Sequence, residues 1–362
     1  MDQAEPNTTA PTSSMHQRRA RYSGKHPRKF AEKYKELNPE KYPDTVAKVI
    51  ASGKTPAGMH RPIMVEEVVR ILAPKAGEVV VDCTLGYGGH AVELLKRLRP
   101  GGKLIALDTD PLEVGRTQER LRGVGWSEDE LIVRHTNFAA LSKVLGELQM
   151  EGVDAILADL GVSSMQLDDP NRGFTFKNDG PLDLRLNPQK GRSAAEWLAS
   201  VSYEKLVEAL RENSDEKYAD MIAEEMMQQR GEIKTTRQLA TLVKSALNSL
   251  PRAVREREGD ACIRRTFQAL RIAVNDEFGV LENLLRVLPQ CLKTNGRAAI
   301  LTFHSGEDRR VKRSFQEGFR GGMYSSFADE PLRASQAELH ANPRASSAKL
   351  RWAVRSGERQ GR

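Results

Sequence analysis

The 362-residue sequence predicts an α/β fold, a parallel sheet with helices on both faces, interrupted by a large helical insertion. Three observations predict it. From Val79 to Asp159 short apolar strand patterns alternate with helical patterns, the rhythm of strand, crossover helix and parallel strand. The first run, Val79-Val80-Val81-Asp82, leads through Gly86, Gly88 and Gly89 straight into an apolar helical stretch. Residues 160–296 then separate the fourth strand from an apparent fifth, Arg297–Phe303, far more chain than one crossover helix needs.

Each element has its own signal. Met64–Leu72 has apolar residues at helical spacing, and Pro74 and Gly77 end it. After the first strand a helix over Ala91–Leu98 stops at Pro100-Gly101-Gly102. Strand Lys103–Leu107 ends at Asp108, and a helix follows over Leu112–Leu121. Leu131–His135 and Val153–Leu157 are the third and fourth strands, ending before Phe138 and at Asp159. Ligands of such sheets bind beyond the carboxyl ends of the strands. The glycine turn, Asp108, Phe138 and Asp159 are therefore expected on one rim. A helix start there aims free N–H groups at a ligand, and an acid twenty residues past the glycines suits ribose hydroxyls. A nucleoside-containing cofactor across adjacent strands follows. Phe138 reads equally as a core ring, and Asp159 as a helix cap.

In the insertion, Ser193 with Glu196 and Thr235 with Gln238 form capping boxes. Tyr203–Arg211, Glu216–Arg230 and Leu239–Leu250 are amphipathic, and Phe267–Leu288 reads as one long helix back to the sheet, entered through the turn Lys293–Gly296. Trp197 reads either as a stacking platform for a base or as a core ring pinning the insertion.

Composition bounds the rest. The chain is 39% hydrophobic and 29% charged, as a soluble globular protein is, and no run approaches the roughly 18 apolar residues of a membrane span. Cys83, Cys262 and Cys291 are isolated and read as reduced core thiols. Residues 1–57 are a basic, partly disordered extension, in which Arg18–Tyr22 and Lys25–Phe30 interleave cations with rings. Short helices are expected over Ala31–Lys35 and Asp44–Ala51. Early acids such as Asp2 and Glu5 argue against a transit peptide, so a cytoplasmic protein with no membrane partner is expected. The net charge of +7 favours a polyanionic partner. Basic stretches at Arg252–Arg265, Arg309–Arg320 and Lys349–Arg362 suit RNA phosphates or a solvated face.

Several ordered motifs carry a resemblance. They are Leu157-Ala158-Asp159-Leu160-Gly161-Val162-Ser163-Ser164-Met165-Gln166-Leu167-Asp168, Arg172-Gly173-Phe174, Asp179–Arg185, Arg265–Glu277, Phe303-His304-Ser305 with Glu307-Asp308, and Asn342–Arg351. Together they resemble the bacterial 16S ribosomal RNA cytosine-N4 methyltransferases, the MraW or RsmH family, from about His60 to Arg355. The resemblance implies a class I, Rossmann-like methyltransferase sheet and S-adenosylmethionine as cofactor. It implies N4-methylation of a decoding-centre cytosine, with 16S rRNA and the small ribosomal subunit as partners. The domains would be residues 58–168 with 264–355 as the methyltransferase, 169–263 as the substrate-recognition insertion, and 356–362 as a basic tail. Oligomeric state stays open, a homodimer included.

Carried over by motif, Gly88, Gly89 and His90 would contact the cofactor on the first turn. Asp108 would take the ribose hydroxyls, Phe138 would lie against the adenine, Asp159 would sit near the methionine or adenine end, and Gln166 would close the pocket. Asp159, Ser163 and Asp168 are the candidate acceptors for the amine protons, and Trp197 and Arg185 the candidate substrate contacts. No metal-ligand spacing is visible. The sequence departs from the family at Met165 for Pro, which predicts a looser loop before Gln166, at Thr109 for Arg, at Gly306 for Leu, and at Asp260–Ile263 for a His-Pro loop. Two rivals remain: an NAD oxidoreductase on the same glycine turn, and a non-catalytic RNA-binding ribosome-assembly factor on the same scaffold.

Overall fold

The computed structural model describes residues 62–357. The basic extension, where two short helices are expected, and Arg359 and Arg362 of the tail lie outside the described residues. Seven strands form one sheet in the order β3-β2-β1-β4-β5-β7-β6. They are β1 (Val79–Asp82), β2 (Lys103–Asp108), β3 (Leu131–His135), β4 (Val153–Asp159), β5 (Leu292–Thr302), β6 (Tyr324–Phe327) and β7 (Lys349–Arg355). β1 to β5 are mutually parallel, and β7 runs antiparallel to both β5 and β6. The chain winds outward from β1 through β2 to β3, then returns to place β4 on the other side of β1. That reversal opens a crevice at the strand ends between β1 and β4.

The sheet helices are α1 (Val65–Leu72), α2 (Gly89–Leu98), α3 (Pro111–Gly123) and α4 (Leu141–Glu147). Alternate strand residues feed two cores, because successive side chains of a strand point to opposite faces. Val80, Leu104, Ala106, Leu157 and Leu301 pack with α1 and α2 on one face. Val81, Ile105, Leu107, Ile156 and Ile300 pack with α4 and the helix after the insertion on the other. Cys83, Cys262 and Cys291 are buried free thiols, as expected.

After α5 (Ser164–Asp168) come α6 (Ala194–Ser200), α7 (Tyr203–Ser214), α8 (Ala219–Gln228), α9 (Thr236–Ala246), α10 (Arg252–Asn275) and α11 (Glu277–Cys291). A third core, running from Phe174 to Leu270, belongs to this segment. Both expected capping boxes form. The long helix expected over Phe267–Leu288 is two helices. Asp276 takes a left-handed conformation at φ 49° and closes α10 with an N–H bond to Ile272 O, then starts α11. Aspartate reaches that region at lower cost than most residues. Residues 263 and 264 lie inside α10, and Asp260–Ile263 is continuous helix. The turn at Lys293–Gly296 is a bulge inside β5: Val153 pairs Leu292 and Ala155 pairs Arg297. β4 thus advances two residues where β5 advances five.

The chain closes with α12 (Ser305–Arg320) and α13 (Gln336–Ala341) around β6 and β7. Gly306 sits under the ring of Phe278. A Cβ there would lie 2.6 Å from Phe278 Cζ. The Arg310 guanidinium covers the same ring 3.5 Å from its centre. Gly306→Leu is expected to cost about 1–3 kcal/mol through overpacking. Urea unfolding should show the loss, and Phe278→Leu in the same chain should restore most of it.

Candidate active site

A cleft of about 500 Å³ lies at the carboxyl ends of β1, β2, β4 and β5. Its first wall is the glycine turn. Gly86 (φ 47°) and Gly88 (φ 69°) take left-handed conformations that suit glycine. Gly88 starts α2 but does not line the cleft; a Cβ there would press on Thr117 at 3.0 Å. Gly89 and His90 do line it, and Gly89 is bare because Pro62 packs on it, 2.5 Å from where a Cβ would sit.

Asp108 reaches the cleft from the end of β2. Its Oδ2 accepts the Gly86 N–H at 2.7 Å and its Oδ1 the Asp110 N–H at 2.9 Å. The carboxylate thus braces the turn and keeps a lone pair on each oxygen for a ligand hydroxyl. Burial lifts its pKa above the ordinary carboxylate value, and the two N–H bonds oppose that rise. Phe138, on the 3₁₀ turn after β3, lines the cleft with its ring backed by the sheet core.

Asp159 ends β4 at the centre of the cleft. Its Oδ2 lies 3.4 Å from His90 Nε2, an ion-pair contact rather than an aligned hydrogen bond, while its Oδ1 is buried without a partner. Burial pulls the His90 pKa down, but Asp159, by contact and charge, and then Asp82 lift it above its ordinary value. Behind them Asp82 is pushed up to about 6, first by burial, while the nearby His90 opposes the rise. Of seven residues with orphaned buried side-chain atoms among the described residues, His90, Glu113 and Asp159 line this cleft. Buried polar groups rarely go unpaired, so such atoms mark where a ligand completes the bonding.

The loop after β4 is pinned, against the expectation from Met165. Met165 is buried, and the Ser163 hydroxyl accepts the Gln166 N–H while Gln166 Oε1 accepts the Ser163 N–H. Gln166 lines the cleft, but its Nε2 donates to Asp110 Oδ2 at 2.9 Å, so it ties two loops together. Arg172 donates to the same oxygen at 2.6 Å. Ser163 lines the cleft as a helix cap. Asp168 does not line it and accepts from Arg344, which does.

The structure does not bring Trp197 or Arg185 to the cleft. Trp197 packs on the insertion core, and Arg185 forks onto Asp183, with Nε to Oδ1 at 2.8 Å and Nη2 to Oδ2 at 2.6 Å. The basic stretches are largely met by carboxylates. Arg252 pairs Glu256, Arg265 pairs Glu216, Arg309 pairs Asp215, Arg310 pairs Glu282 and Arg313 pairs Glu317.

Sequence reasoning assigned no role to the far wall, where Asn275, Glu277, Phe303 and Glu307 line the cleft. Glu307 Oε2 accepts the Phe303 N–H at 2.8 Å and its Oε1 lies 3.2 Å from His304 Nε2. Burial works against that charge, yet His304 and the Phe303 N–H hold the Glu307 pKa below its ordinary value. Glu277, His304 and Glu307 bring ligand atoms within 4.8 Å of one another, the spacing of a metal site. Arg271, however, already forks onto Glu277 at 2.8 and 2.9 Å, and the group reads as an ion network. The motifs Arg265–Glu277 and Phe303–Asp308 held these residues. What the sequence lacked was a sign that the two motifs meet.

A family model described as the MraW methylase family matches residues 57–356. The chain belongs to the MraW methylase family. Among MraW relatives, "Ribosomal RNA small subunit methyltransferase H 1" of Lachnoclostridium phytofermentans is 50% identical over 345 residues, 94% of each chain. "Ribosomal RNA small subunit methyltransferase H 2" of Alkaliphilus metalliredigens is 50% identical over 343 residues, covering 94% of this chain and 98% of that one. The MraW chain is a methyltransferase and its cofactor is S-adenosylmethionine. The cleft fits that group: a glycine turn, an acid with free lone pairs for a sugar and an aromatic wall. Membership sets aside the NAD oxidoreductase. Among the described residues no helix is long and apolar enough to cross a membrane.

If Asp108 holds the sugar, Asp108→Ala weakens S-adenosylmethionine by about 1–3 kcal/mol through lost charged hydrogen bonds. Calorimetry giving an unchanged affinity would count against that assignment.

Proposed function

We propose that this chain methylates small-subunit ribosomal RNA in the bacterial cytoplasm, at the exocyclic N4 amine of a decoding-centre cytosine. The relatives' names support the RNA class. The observation that carries the chemistry is Asp159 Oδ1, a buried acceptor without a partner at the centre of the cleft. When bound, S-adenosylmethionine supplies an activated sulfonium methyl, so the protein contributes alignment and exclusion of water. The cytosine amine is a poor nucleophile because its lone pair is shared with the ring. Asp159 accepts one of its N–H bonds, which favours a tetrahedral nitrogen, and takes the proton once the nitrogen is alkylated. His90 faces the other oxygen and holds the carboxylate in place. Ser163 and the backbone carbonyls of the pinned loop are secondary acceptors. Asp168 serves through Arg344, and the insertion, residues 169–263, covers the RNA. An enclosed cleft requires the base to leave its stack.

Methyl transfer to 30S subunits and to free 16S RNA, with mass mapping of the product, tests this. A single N4-methylcytosine in the decoding region is expected. A methyl group on another base or atom overturns the assignment, and RNA binding without transfer would mark an assembly factor.

A further inference from the structure

We propose that Glu113 is a second sugar contact in this cleft: its carboxylic acid donates a hydrogen bond to one oxygen of the nucleoside's vicinal diol, while the Asp108 carboxylate accepts from the diol hydroxyls. The proposal rests on the donor's sugar lying at Asp108.

Glu113 stands in the first turn of α3, where an acid ordinarily faces solvent and complements the helix dipole. Here it is 5% exposed, yet it lines the cleft beside Gly86, Tyr87 and Asp108, and its Oε2 is buried with no partner. One turn on, Thr117 Oγ1 donates to the Gly86 carbonyl at 2.7 Å, so this face of α3 lies against the glycine turn. Asp108 can take only hydroxyl hydrogens, since a carboxylate has nothing to donate. The diol oxygens then keep acceptor capacity, and a donor is missing. Asp108 and Asp110 are close enough to act on Glu113, which disfavours a third negative charge. Arg172 is committed to Asp110, and Arg116 reaches Glu113 Oε1 only at 3.8 Å. Another neighbour, Tyr87, holds the Glu113 pKa down. Burial, with Asp110 assisting against Tyr87 and Arg116, pushes the Glu113 pKa up to about 7, so the acid form is well populated at neutral pH.

A bond that uses the acid's hydrogen raises this pKa further, so ligand binding takes up protons. Calorimetric titration of the full chain with S-adenosylhomocysteine, in two buffers of different ionisation enthalpy at pH 7, reads that uptake. Uptake of about half a proton is expected from this group, since a pKa of about 7 leaves it half ionised beforehand. Glu113→Gln keeps a donor and should bind within about three-fold of the parent while losing that uptake. Glu113→Ala should bind about 5–30-fold more weakly. The deficit should vanish against either the 2′-deoxy or the 3′-deoxy ligand. Equal affinity of the Ala variant, or uptake unchanged in the Gln variant, overturns the proposal. Should the Ala variant fail to fold, the Gln proton count decides alone. If Asp108→Ala also leaves affinity unchanged, the sugar reading itself fails; if only Glu113→Ala does, Asp108 stands and Glu113 falls.

Discussion

Arg172→Ala is expected to cost the folded chain about 3–5 kcal/mol, the usual penalty for removing one partner of a buried ion pair. Asp110 is fully buried and Arg172 is 7% exposed. The guanidinium donates to Asp110 Oδ2 at 2.6 Å, to Arg185 O at 3.0 Å and to Leu186 O at 2.9 Å. It thereby fastens the irregular segment before α6 to the loop after β2. Removal leaves a buried carboxylate with only the Gln166 amide and the Leu112 N–H. Lysine should rescue poorly, because an ammonium cannot span carboxylate and carbonyls with one rigid fork. The Asp110→Asn, Arg172→Met double variant should recover part of the loss. A urea midpoint unchanged by Arg172→Ala would show that the pair contributes nothing. Cofactor affinity should fall as well, since the Asp110 N–H braces Asp108.

Asp159→Ala should lower turnover by about 10²–10⁴-fold, the range for a positioned acid or base. The substitution removes the orphaned acceptor and the carboxylate 3.4 Å from the buried His90. Cofactor affinity should change far less, because Asp108 and the glycine turn are untouched. Single-turnover assays under saturating cofactor separate the two effects. Full activity in the Ala variant would move the proton to another acceptor, with Glu307 on the facing wall the next to test.

The sheet was legible because its central strands are buried on both faces and read as short, largely apolar runs. Strand ends then follow, and with them the rim shared by Gly89, His90, Asp108, Phe138 and Asp159. Other features had no local signature. Glu113 looked like any acid at a helix start, and only the packing of α3 on the glycine turn buries it. The wall of Glu277 and Glu307 is assembled from two helices whose meeting is tertiary. The break at Asp276 hides inside an unbroken helical pattern. Basic runs looked free because their partners are remote, as Arg309 with Asp215 and Arg310 with Glu282 show. Trp197 and Arg185 depend on how the insertion seats, which no spacing of residues reveals.

The fit of Gly306 beneath Phe278 constrains how this chain can exchange parts with its kin. The two positions sit on separate helices but share one volume, so neither is free to drift alone. A chimera that brought a larger side chain to position 306 while keeping this phenylalanine would meet a steric clash that this chain avoids. Breakpoints that keep residues 278 and 306 on the same side avoid it, so the two positions are exchanged together or not at all.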